Sequence, residues 1–71
     1  MMPTVKLIVH GLDEEAEGRL QRALMAVDGV FGVVASHEAG CCEVDFEDDV
    51  VGIDELFDTA RRAGFTVSLG G

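Results

Sequence analysis

Thr4-Val5-Lys6-Leu7-Ile8-Val9-His10-Gly11-Leu12-Asp13-Glu14-Glu15-Ala16-Glu17 is the stretch on which the reading of the fold turns. Val5, Leu7 and Val9 alternate with Lys6, Ile8 and His10, the period of a strand with one buried face. Gly11-Leu12 ends that strand. Asp13 then offers a helix N-cap, and Glu14, Glu15 and Glu17 put carboxylates in the first turn, where the helix dipole favours negative charge. The stretch predicts a strand, a tight loop and a helix start.

Outward from it, Ala16, Leu20, Ala23, Leu24 and Val27 recur at helical spacing and form one apolar stripe. Gly18 costs that helix about 1 kcal/mol against alanine, and Gly29 stops it. A second strand is expected from about Val30 to His37, with Val33 and Ala35 inward. A third is expected from about Cys41 to Glu47, with Val44 and Phe46 inward. Glu38-Ala39-Gly40 marks the turn of the hairpin between them. Asp48-Asp49 leads into a second helix, roughly Ile53 to Ala63, with the stripe Ile53, Leu56, Phe57 and Ala60. Arg61 and Arg62 complement the dipole at its end, and Gly64 terminates it. Phe65, Val67 and Leu69 alternate in a last strand. The order βαββαβ predicts an α+β, ferredoxin-like sandwich, a four-stranded antiparallel sheet with two helices on one face. Residues 1–71 read as one domain, small enough that a single core is only marginally sufficient.

Hydrophobic residues make up 48% of the chain, which places it among globular sequences. The net charge is −9, from 14 Asp and Glu against 5 Lys and Arg. Such a field repels phosphate backbones and anionic lipid, so nucleic acid and membrane surfaces are poor partners and a basic protein surface or a cation is a better one. No apolar run approaches the roughly 20 residues that span a bilayer. Cys41 and Cys42 are adjacent, with Cα atoms about 3.8 Å apart, too close for an ordinary disulfide. Reduced thiols and a cytoplasmic setting follow as expectations.

The same stretches resemble the heavy-metal-associated domains of copper chaperones and metal-pumping ATPases. The likeness rests on Gly11-Leu12, Gly29-Val30, Val44-Asp45-Phe46-Glu47-Asp48 and Ala63-Gly64-Phe65, in this order and spacing. It implies the ferredoxin-like fold and a metal-binding or metal-trafficking role, with a metal-transport ATPase as the kind of partner. Leu12 takes the place of the family's loop methionine and Phe65 that of a tyrosine near the loop. The family's Gly-Met-Thr-Cys-x-x-Cys becomes Gly11-Leu12-Asp13-Glu14-Glu15-Ala16-Glu17, so Glu14 and Glu17 stand where two thiolates are expected. Copper(I) is a soft ion held by sulfur; carboxylate oxygens suit harder ions. The resemblance therefore comes with a degenerate copper site.

Glu14 and Glu17 are either a weak hard-cation site or ordinary acidic decoration of a helix start. A two-residue turn at Ala39-Gly40 would set His37 opposite Cys42, both toward the helices and the start of the first helix. Imidazole, thiolate and carboxylate form an acceptable zinc-type set. The candidate relocated site is thus His37 and Cys42, with Cys41, Glu14 or Glu17 assisting. The competing reading makes Cys42 a small core residue and Cys41 an incidental thiol on the open face near His10. No catalytic triad or glycine-rich phosphate loop is present, so the chain reads as a non-enzyme. The alternative function is an acidic protein–protein interaction module without metal. In either case the chain is expected to be a monomer or weak homodimer.

Overall fold

A computed structural model describes residues 3–70. Its elements run β1 (Thr4–His10), α1 (Glu14–Met25), β2 (Val30–Ser36), β3 (Cys41–Phe46), α2 (Ile53–Arg62) and β4 (Thr66–Leu69). The strands form one antiparallel sheet in the order β2-β3-β1-β4. This is the ferredoxin-like sandwich expected from the pattern, with both helices on one face.

Alternation in β1 and β3 builds the core. Val5, Leu7 and Val9 of β1 and Cys42, Val44 and Phe46 of β3 are buried beneath the helices. Asp13 caps α1 as expected, its Oδ1 accepting the Ala16 N–H at 2.8 Å. That cap fixes the helix phase so that Ala16, Leu20 and Leu24 meet the sheet. Gly29 adopts φ +94° after α1, and a Cβ there would lie 2.9 Å from Val50. The backbone needs glycine at that point for its conformation and its space.

Three details differ from the sequence reading. The hairpin turn spans four residues, His37 to Gly40, because Gly40 at φ +66° donates its N–H to the Ser36 carbonyl at 2.9 Å. The register is therefore Ser36 opposite Cys41 and Ala35 opposite Cys42, and His37 does not face Cys42. Widening the turn by two residues preserves the alternation, so His37 still turns to the helix side. A bulge between Val30 and Gly32 accompanies the exposure of Phe31. Finally, Ile53 at the first position of α2 is exposed, and Val51 from the preceding loop fills the core in its stead. Small boundary shifts end β2 at Ser36, β3 at Phe46 and α2 at Arg62. Among the described residues, no helix is long and apolar enough to cross a membrane.

Candidate functional site

The loop after β1, the first turn of α1 and the β2–β3 turn meet at one end of the molecule. Glu17 organises this corner. Its Oε2 accepts the His37 backbone N–H at 2.7 Å and lies 2.8 Å from His37 Nδ1. The bond from the imidazole lowers the Glu17 pKa and raises that of His37. The negative charges of Glu14 and Glu38 push the His37 value further in the same direction. Glu14 itself is exposed, one turn before Glu17.

One helical turn further, Gln21 Oε1 accepts the Ala35 N–H at 3.4 Å. Two α1 side chains four residues apart thus take two amides two residues apart, one at the end of β2 and one just beyond it. In the sequence Gln21 is marked only by its spacing, four residues after Glu17.

The cysteines separate. Cys42 has no solvent exposure, and burial pushes its thiol up to about 11, with Cys41 and Glu43 adding to the shift. It packs in the core opposite Ala35 on one side and Leu7 on the other. Cys41 is half-buried on the open sheet face, across from Ile8 and Ser36. His10 is exposed on that face, opposite Thr66. The fold thus joins Glu17 to His37 directly and brings Glu14 close, while Cys41 lies on the other face of the sheet and Cys42 beneath the surface.

Leu12 and Phe65 are buried under the loop, with the Arg19 guanidinium carbon 5.2 Å from the Phe65 ring centroid. That spacing permits a cation–π contact. Among the described residues, the one trio of metal-type side chains with all ligand atoms within 4.8 Å is Glu47, Asp48 and Asp49 after β3. It reflects the acidic run in the sequence.

A soft monovalent copper ion does not fit the corner. Both loop positions offer oxygen, and the Glu17 oxygen is already engaged by His37.

No family model and no curated protein matches the sequence. Solved structures do match. The chain is similar to oxidized MerP from Ralstonia metallidurans, with TM-score 0.94, 25% identity and full coverage of both chains. It resembles a copper binding domain from HMA7, a P-type ATPase, at TM-score 0.92 and 22% identity, covering 100% of this chain and 96% of that one. The N-terminal domain of a potential copper-translocating P-type ATPase from Bacillus subtilis, in the Cu(I)-loaded state, gives TM-score 0.92 and 17% identity over 100% and 90%. The two cysteines at 41 and 42 do not form a Cys-x-x-Cys pair. The chain thus has the ferredoxin-like fold of these solved structures, and its loop at residues 11–17 carries Glu14 and Glu17 and no cysteine.

Proposed function

We propose that this domain is a metal-trafficking module whose loop has given up copper(I) and whose corner, built on His37, takes a zinc-type divalent ion. The observation that carries the reading is the 2.8 Å contact between Glu17 Oε2 and His37 Nδ1. A carboxylate on one ring nitrogen fixes the tautomer and leaves the other nitrogen for a metal, as behind many zinc-bound histidines. His37 Nε2 is then the first ligand and exposed Glu14 the second, with Glu17 orienting the ring. Cys41 is the thiol within reach of solvent. Cys42 joins only by leaving the core and losing a proton held near pKa 11. A site this open suits an ion that is passed on.

The domain acts by binding, not by catalysis. Its acidic surface favours a metal-transport ATPase or another basic-surfaced protein as partner, and its unpaired thiols suit the cytoplasm. The likeness to copper-binding ATPase domains supports this reading over an interaction module unrelated to metals.

Zinc titration of the folded chain tests it. Zinc near stoichiometric amounts is expected to raise the melting temperature, since a ligand that binds the native state adds to folding free energy. Glu14→Gln and His37→Gln are each expected to reduce that gain. Iodoacetamide should label Cys41 in the native chain and spare Cys42. A melting curve unmoved by excess zinc overturns the reading, as does tight copper(I) binding by a Cys41→Ser, Cys42→Ala double variant.

A further inference from the structure

Opposite the Glu17–His37 corner, the starts of β1 and α2 meet the end of β3. There an open cleft of about 390 Å³ is lined by Pro3, Phe46, Asp48, Gly52, Ile53 and Asp54. Its lining is mostly apolar, and two of the residues around it are aspartates. Other exposed apolar side chains gather at the same end of the fold. Met25 ends α1, Phe31 is the second residue of β2 and Val50 precedes α2.

The charge pattern around this end is one-sided. Residues 23–60 contain no lysine or arginine but ten aspartates and glutamates. Arg61 and Arg62 lie at the far end of α2, and Lys6 lies on the open sheet face. Arg22 reaches back along α1, its Nη1 3.6 Å from where a Cβ at Gly18 would stand. Among the described residues the ion pairs are Glu17–His37 and Asp58–Arg61. Neither Asp48 nor Asp54 is in one.

We infer that this cleft docks a basic segment of a partner protein. The apolar stem of an arginine or lysine lies against Pro3, Phe46 and Ile53, and its cationic head meets Asp48 and Asp54. Long basic side chains pair these two chemistries, burying their methylenes while the charge stays at a polar rim. A bare divalent ion gains nothing from Phe46 and Ile53. Nucleic acid is repelled, and a second copy would bring another net −9 to the same surface. Exposed Met25, Phe31 and Val50 at the same end of the fold offer apolar surface beyond the cleft, which a peptide can use and a small amine cannot. The inference is independent of the zinc reading, because the two sites lie at opposite ends of the molecule.

The test uses the whole chain and a fluorescein-labelled peptide, acetyl-Leu-Arg-Leu-Arg-Gly, beside its citrulline counterpart. The arginine peptide is expected to bind at low salt, and the neutral citrulline form about tenfold or more weakly. Asp48→Asn with Asp54→Asn should weaken binding by about tenfold. Glu43→Gln with Asp45→Asn, an equal charge change on the open sheet face, should leave it nearly unchanged. Amide NMR shifts on peptide addition should concentrate at residues 46–54. Equal losses in the two double variants, or shifts spread over all acidic surfaces, would mean diffuse charge attraction and overturn the inference. Self-association that protects Ile53 as the chain is concentrated would overturn it too.

Discussion

The two helix starts sit at opposite ends of the molecule and are finished differently. At α1, Asp13 caps the backbone, Glu17 holds His37, and Gln21 takes the next amide along β2. At α2, Gly52 supplies no side-chain cap, Ile53 faces solvent, and neighbouring carboxylates stand without cations. The first end ties its helix start to the β2–β3 turn through polar contacts, with Glu14 left exposed. The second, among the described residues, makes no such contacts and exposes apolar and charged groups side by side.

Four changes would sharpen or break this contrast. Gly29→Ala has the largest expected effect. Leaving glycine at φ +94° costs about 1–2 kcal/mol, and crowding Val50 adds about 1–3 kcal/mol. Gly11 is the control at the other end. Its φ is +74° but nothing lies within 4 Å of the added Cβ, so Gly11→Ala should lose only the conformational part. Equal losses in urea melts would remove the asymmetry.

Asp13→Ala comes next, at about 1 kcal/mol for the lost cap. In a domain of this size each kcal/mol lowers the melting temperature by roughly 4–8 °C. An unchanged melting curve would show that the α1 end does not depend on its cap.

The Glu17–His37 pair gives a smaller, pH-dependent effect. The His37 pKa is raised, so its contribution is full below the ordinary imidazole value of 6.5 and fades as pH rises through the raised folded value. The Glu17 pKa is lowered, so its contribution is present above the ordinary 4.5 and fades as pH falls through the lowered folded value. Both act together between about 4.5 and 6.5. The melting-temperature gap between the native chain and Glu17→Gln should peak in that window and narrow above it. A gap independent of pH would mean that the backbone bond from His37 does all the holding.

Gly52→Ser should give the smallest change, a gain of a few tenths of a kcal/mol. Gly52 is extended at φ −101° and a Cβ there meets nothing within 4 Å, so a hydroxyl cap fits without strain. A loss instead of a gain would show that this helix start is already satisfied.

Most of the fold is legible in the chain because its signals are local. Alternation in Val5-Leu7-Val9 and the stripe Ala16-Leu20-Leu24 each report burial directly. The direction of His37 survives an error in turn length because strands repeat every two residues. The register itself is not legible. It depends on Gly40 bonding back to Ser36, and Ala39-Gly40 serves a shorter turn equally well in sequence. The start of α2 at Ile53 is legible, but not that its first side chain is exposed while Val51 of the preceding loop fills the core, since a residue before the first turn lies outside the helical stripe. At the corner, the two glutamates are visible in sequence, but their unequal roles are not. Glu17 is committed to His37 and Glu14 is free only because β2 ends beside the second position and not the first.

The paired contacts of Glu17 and Gln21 have a consequence beyond the corner. An outer strand normally presents its amide hydrogens to any extended chain that drifts past. Here two of them, at Ala35 and His37, are already spoken for by a helix standing in for the absent neighbour. With those amides occupied, that stretch of the rim is a poorer template for an added strand.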